Sequence, residues 1–222
     1  MRKILLCMMA VMAATAFFSC QQQSDGKCRI EGTVNGEQYE GKRIFLVPLT
    51  GPATAETVDS MEITGGKFHF EPDSAQMYKI LLDYHYRINL QPLLVVGEPG
   101  TVRVSIDTVS HAVGTPLNDT LEQWKAETEK HNHRMRVMRA SMAELANAGD
   151  TAQASRLKQR SDSFHLAYKN YTRQLAKSVE GSPLGTFLRG LYPLTYKRKY
   201  PDGRVVTMNA DTNKPVEEGK NE

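Results

Sequence analysis

The chain has 222 residues, with Lys+Arg 28 against Asp+Glu 25 and a formal net charge of +3. That length suits one domain, or one domain with an accessory element, and 24% charged with 40% apolar residues excludes wholesale disorder. The near-balanced charge gives no support to nucleic-acid binding as the main role, and three scattered cysteines exclude a disulfide scaffold.

Arg2 and Lys3 precede an uncharged apolar run of 15 residues, Ile4 to Phe18. A membrane-spanning helix needs about 20 such residues, so the run reads as a secretory signal. No later segment approaches that length. Phe17-Phe18-Ser19-Cys20 resembles a bacterial lipobox, which implies a signal over 1–19 and an acylated Cys20 as the first mature residue. The alternative is a signal-peptidase site after Ala14-Thr15-Ala16, of small-x-small form. The first cut places the protein in the bacterial cell envelope, lipid-anchored at the outer membrane or periplasmic face; the second makes it a soluble secreted or periplasmic protein. Residues 20–27 are polar and suit a flexible tether. Removing 1–19 takes away Arg2, Lys3 and Cys7, so the charge falls from +3 to +1. With Cys20 acylated, Cys28 remains as the lone free thiol. It reads as a small half-buried residue opening the first strand, with an intermolecular disulfide as the alternative in an oxidising periplasm.

From Cys28 to Val113 the pattern is β. Cys28 to Val34 ends at Asn35-Gly36, a tight-turn signal. Lys42 to Val47 is a second strand, stopped by Pro48. Thr57 to Ile63 leads through Gly65-Gly66 into Lys67 to Glu71, which reads as a hairpin. Met77 to Leu82 and Leu93 to Val96 follow, then the turn Glu98-Pro99-Gly100. Val102, Val104 and Ile106 alternate with polar residues, as a strand with one wet face requires. About seven short strands so punctuated predict an antiparallel β-sandwich or open barrel over 28–113. His69 points away from Phe68 and Phe70 and reads as a solvated strand residue. Tyr84, His85 and Tyr86 lie at a strand end or loop and are candidates for a binding rim.

From Asn118 to Val179 the pattern is helical. Asp119 and Glu122 have the spacing of a capping box. Leu121, Trp124, Thr128, His131, Met135, Met138, Met142 and Leu145 then recur every three or four residues, up to Gly149. Asp150 and Gln153 repeat the capping device. Ala154, Leu157, Ser161, Phe164, Tyr168, Tyr171 and Leu175 continue the spacing until Gly181 and Pro183. The fold class expected is therefore α+β, with the β region followed by an antiparallel two-helix hairpin over 118–180. Each helix is about 40 Å long at 1.5 Å per residue, more than one small sandwich covers, so the hairpin should project or pack on something else. Its methionines serve either as the helix–helix seam or as an adaptable surface for a protein partner. His131 and His133 are two apart on a helix, diverge by about 200° and cannot share a metal ion.

The chain lacks Cys-x-x-Cys, Gly-x-Ser-x-Gly, P-loop, Gly-x-Gly-x-x-Gly and His-Glu-x-x-His motifs. No catalytic set, cofactor or metal is implied. Tyr196, Lys197, Arg198, Lys199 and Tyr200 form a basic-aromatic patch, a candidate surface for lipid headgroups or an acidic partner. In the segment 181–222, a short hairpin over 196–208 is expected. Residues 209–222 are polar and read as a disordered tail.

Ile30-Glu-Gly-Thr33, Arg43-Ile-Phe-Leu-Val47, Val58-Asp-Ser60, Gly66-Lys-Phe-His-Phe70, Glu98-Pro-Gly100 and Gly114-Thr-Pro-Leu-Asn118 together resemble a domain of unknown function in bacterial lipoproteins. There it precedes a thioredoxin-like thiol–disulfide oxidoreductase domain. The resemblance covers about residues 28–120 and implies a β-sandwich without catalytic residues of its own. Tyr200-Pro-Asp-Gly203 resembles the turn that opens the redox domain, and the chain stops at Glu222 before that domain's paired cysteines. The expectation is a lipid-anchored envelope module that binds a protein or glycan, with the helical hairpin as one docking element. The alternative is an accessory chain, or remnant, of a thiol–disulfide exchange system.

Overall fold

The computed structural model describes residues 26–72, 75–82, 92–107 and 109–216. Its strands are β1 (Cys28–Val34), β2 (Arg43–Pro48), β3 (Asp59–Glu62), β4 (Lys67–Phe70), β5 (Met77–Leu82), β6 (Leu93–Val96), β7 (Gly100–Ile106), β8 (His111–Val113), β9 (Thr195–Lys199) and β10 (Val205–Asn209). Its α-helices are α1 (Pro116–Asn147), α2 (Thr151–Ser178) and α3 (Pro183–Leu191). The chain is thus mixed α+β, as its patterning predicts, but with more strands and one more helix.

Two four-stranded sheets, ordered β4-β1-β7-β8 and β3-β2-β5-β6, contribute to one apolar cluster. The period of two explains the assignment of faces. Cys28, Ile30, Gly32 and Val34 of β1 turn inward and Glu31 and Thr33 outward, while Val102, Val104 and Ile106 of β7 join the same core. Ile44, Leu46, Ile80, Leu93 and Val95 of the second sheet complete it. Neither sheet closes into a barrel: each is an open four-strand order.

The arrangement is not wholly antiparallel. β1 and β7 run parallel, with Ile30 opposite Val102 and Gly32 opposite Val104. Alternation reports which face a residue takes, not which way its neighbour runs. Here the chain leaves β1, builds the second sheet and returns, and that crossover sets the direction. The Gly65-Gly66 turn forms, with both residues at positive φ, and Lys67 N donates to Thr64 O at 3.1 Å. It closes only the first rung of the expected hairpin, the antiparallel Thr64–Lys67 bridge, because beyond it β3 pairs with β2 and β4 pairs with β1. The turn passes the chain from one sheet to the other. The carboxylate of Glu40 accepts both turn amides, at 2.8 and 3.1 Å, and these two bonds hold its own pKa below the usual carboxylate value.

A second apolar cluster joins the second sheet to the helices. Met77 and Val96 meet Leu121 and Trp124 of α1, Ala176 of α2, and Leu184 and Leu188 of α3. The Phe187 ring meets Trp124 edge-on at 5.8 Å between centroids. Pro183, expected only to end a helix, occupies the first turn of α3, behind the capping hydroxyl of Ser182. A proline there loses no hydrogen bond, because first-turn amides lack intrahelical partners anyway.

The start of α1 also differs from the expected capping box. Thr115 is its N-cap residue, but its hydroxyl caps no backbone amide and instead accepts from the Asn118 side chain at 2.9 Å, and Pro116 sits in the first turn. The orphan amides of Leu117 and Asn118 are satisfied instead by Glu98, from the turn before β7, at 2.8 and 3.0 Å. Asp119 accepts from Gly114 N, and Glu122 reaches Ala112 N of β8. The Asp150 cap of α2 is as expected, accepting the Gln153 amide at 2.9 Å.

The helical seam follows the predicted spacing near its middle. Leu121, Trp124 and His131 of α1 are buried, as are Ser161 and Tyr168 of α2. At the base it shifts by one residue, so that Thr172 and Ala176 are buried and Tyr171 and Leu175 half-buried. α3 packs there, with Leu184 and Leu188 against Ala176. From 132 to 160 no residue is buried. The outer part of the hairpin therefore stands clear of both sheets.

The segment after β10 is not the featureless tail that its composition suggests. Val216 N donates to Thr207 O, and Asn209 N to Lys214 O, both at 2.8 Å. Asp211 forms ion pairs with Lys169 and Arg173 of α2. Backbone pairing and an ion pair fix this stretch, and neither leaves an apolar signature in sequence. Residues 217–222 lie outside the described residues. Among the described residues no helix is long and apolar enough to cross a membrane.

Candidate functional site

The outer face of the first sheet carries a shallow concavity of about 820 Å³. Outward residues of four neighbouring strands line it, and register sets them in two rows. One row reads His69, Glu31, Arg103, Val113, and the other Lys67, Thr33, Ser105, His111. Neighbours within a row are about 4.8 Å apart and the rows about 6.6 Å apart. Met61 and Thr64 border one side, and His69 N lies 3.0 Å from the Met61 sulfur. At the other end His111 Nδ1 is 3.1 Å from Glu122, whose second oxygen accepts from Ala112 N at 2.9 Å and Lys125 at 2.6 Å. Lys67 and Arg103 have no ion-pair partner among the described residues. The result is a mixed surface, in which Met61, Phe68, Val104 and Val113 lie among two cations, three hydroxyls, two imidazoles and one carboxylate, suited to an extended ligand with both polar and apolar parts lying across the strands. Its reactive groups sit on separate strands and do not converge on one atom.

The outward position of Glu31, Thr33, Arg103 and Ser105 is visible in the alternation. Their adjacency is not, because it depends on the parallel pairing of β1 with β7.

Cys20, Tyr84, His85 and Tyr86 lie outside the described residues. Cys28 opens β1, is buried and is a free cysteine. Burial pushes its thiol pKa up, Glu98 contributing both a hydrogen bond that opposes this and a charge that adds to it. A raised thiol pKa means little nucleophilic thiolate near neutral pH.

Four residues of the basic-aromatic patch fall on β9, whose residues are all exposed, and Tyr200 follows it half-buried. Strand alternation divides the patch. Tyr196 pairs with the buried Met208 and donates its hydroxyl proton to Asn213, whereas Lys197 and Lys199 alternate onto the opposite face. Arg198 shares the face of Tyr196, and Tyr200 carries Arg204 at 5.8 Å from its ring. The five residues are contiguous in sequence and are not one surface in space.

An aromatic cluster escaped the sequence reading. His131, in the seam as expected, is 5% exposed. Its Nε2 lies 3.2 Å from Nδ1 of His165. Its ring stacks on Tyr168 at 4.1 Å and on Phe164 at 5.1 Å. Its Nδ1 is buried with no hydrogen-bond partner. Burial, more than the neighbouring charges of His165, Arg139 and Lys169, holds both imidazoles below their usual pKa. His165 follows a seam position directly, and only the interhelical pairing turns it towards His131. Among the described residues no group of three or more potential metal ligands occurs, so the pair is read as part of the packing.

A family model described as Domain of unknown function (DUF4369) matches residues 28–121, which spans both four-stranded sheets and the first turns of α1. Comparison with curated proteins gave no match, and comparison with solved structures gave none.

Proposed function

We propose that the protein is a lipid-anchored binding module of the bacterial cell envelope, acting by holding an extended ligand with polar groups and apolar faces, such as a glycan, rather than by catalysis. The observation that carries this reading is the concave outer face of the first sheet, where Lys67, Arg103, Glu31, Thr33 and Ser105 are aligned across neighbouring strands. A volume of about 820 Å³ is in the range of ordinary ligand sites. The lipobox-like Phe17-Phe18-Ser19-Cys20 supports the anchor. The test is a glycan array probed with wild type and with the Lys67→Ala/Arg103→Ala double variant. Binding lost in the variant, with an unchanged melting temperature, supports the reading; identical profiles refute it. The anchor is tested separately, by mass spectrometry of the mature N-terminus. A free Phe17 instead of an acylated Cys20 refutes it.

A second reading, an accessory of thiol–disulfide exchange, is favoured by the β9–β10 hairpin. Its Pro201-Asp202-Gly203 turn is the element that resembles the opening of a thioredoxin-like domain. On this reading the chain supplies a docking platform and not a thiol, since Cys28 is buried. Binding of a separate thioredoxin-like chain, lost when β9 is altered, would support it.

A further inference from the structure

The outer part of the helical hairpin has its own chemistry. Residues 132–160 hold six of the 28 Lys+Arg but only two of the 25 Asp+Glu, so this arm is +4 where the whole chain is +3. Everything else therefore sums to −1. The six cations are Arg134, Arg136, Arg139, Arg156, Lys158 and Arg160, and all are exposed. Arg136 is 3.1 Å from Glu129 and Lys158 is 2.6 Å from Asp162. Arg134 lies over the Phe164 ring at 4.5 Å. Arg139, Arg156 and Arg160 have no ion-pair partner among the described residues.

The apolar residues of the arm are already used. Met135, Met138, Met142, Ala154 and Leu157 are half-buried along the seam. Val137, 52% exposed, is the one large exposed hydrophobic between 132 and 160. A stable protein–protein interface is built round desolvated apolar or aromatic anchors, and the arm offers one valine. At 100° per residue its cations also spread round both helices instead of rimming a groove. A diffuse anionic surface asks for neither an anchor nor a groove, because each cation near it contributes independently.

We infer that the basic arm over 132–160 docks on the surface of an anionic lipid bilayer, through lipid phosphates. The inference depends neither on the ligand in the sheet groove nor on acylation of Cys20. The arm lays those of its cations that face the bilayer against the headgroups without inserting, so binding is electrostatic and falls as salt screens it.

The test uses the chain from Gln21 onward, without acyl groups, and vesicles of phosphatidylcholine alone or mixed equally with phosphatidylglycerol. Wild type should sediment with the mixed vesicles and not with phosphatidylcholine, and should dissociate at about 1 M salt, where screening extends over only about 3 Å. The triple variant Arg139→Gln/Arg156→Gln/Arg160→Gln should lose about a hundredfold in partitioning. Lys197→Gln/Arg198→Gln/Lys199→Gln on β9 should retain it. Circular dichroism checks that both variants keep their helices. Equal binding to both vesicle types, wild-type partitioning by the arm variant, or loss in the β9 variant overturns the inference. So does arm-dependent binding to polyglutamate without vesicle binding, which would point to an acidic protein. Glycan-array results for the groove are independent of every one of these outcomes.

Discussion

Gly32 shows how closely one residue is fitted. A Cβ at this position would stand 1.9 Å from Cζ of the Phe68 ring, which crosses the strand inside the core. Gly32→Ala should therefore destabilise the fold by about 1–3 kcal/mol, as overpacking does, and Phe68→Leu in the same chain should recover part of the loss in a denaturant titration. The His131–His165 pair gives a pH signature. Both folded-state pKa values lie below the ordinary 6.5, so the unfolded chain binds protons first as pH falls. Stability should be flat above about pH 6.5 and should decline below it, towards the folded-state values. In His165→Asn the decline should be shallower; equal slopes by thermal melting at several pH values would show that the pair is not responsible. Asp211 works in the opposite range: Arg173 and then Lys169 lower its pKa to about 2. Its contribution is intact above about pH 4 and is lost as pH falls through about 2. Its side chain is 26% exposed, so Asp211→Asn should cost about 1 kcal/mol or less globally while increasing amide exchange at residues 207–216.

Among the elements, the start of α1 shows what local rules miss. The spacing of Asp119 and Glu122 suggests a self-contained cap, yet the helix is capped from the turn before β7. Glu98→Ala should cost about 1–2 kcal/mol by leaving two first-turn amides without their acceptor, and Asp119→Ala should cost less. A reversed order in urea melts would restore the capping box. The Asn118 side chain extends the same junction. It accepts from Val96 N at 2.9 Å and donates to Val96 O at 2.8 Å, pairing with β6 as a further strand residue would. The strands themselves were largely legible, since alternation is a local property with a period of two. So was the seam, except at the base of α2, where Thr172 and Ala176 take the buried positions expected of Tyr171 and Leu175. The parting of β3 from β4 was not, because a tight turn says nothing about which neighbours its flanking strands choose.

At the scale of the molecule, two sheets and the base of a helical hairpin form the packed body, and the arm stands beyond it. α1 has 32 residues and α2 has 28, or about 48 and 42 Å. Deleting 132–160 and closing the hairpin with a short Gly-rich turn should leave the body folded. Both apolar clusters lie outside that segment. A thermal midpoint within a few degrees of the full chain is expected, whereas collapse would mean that the arm is needed for folding. The candidate groove also belongs to this scale. Its lining comes from four strands separated by up to about eighty positions, and no motif in the chain announces it.

The amino-acid sequence by itself determined the alternation that marks inner and outer faces, the helical spacing that makes a hairpin, the cap at Asp150 and the concentration of cations in the arm. These are properties of neighbours a few residues apart, and local geometry reads them directly. Tertiary structure alone decided that β1 and β7 run parallel, that Glu98 caps α1, that Asp211 ties the last described segment to α2 and that Lys67, Thr33, Ser105 and His111 form one row. Each of these joins residues distant along the chain, and only the packing of two sheets against the helices brings them within hydrogen-bonding or van der Waals reach.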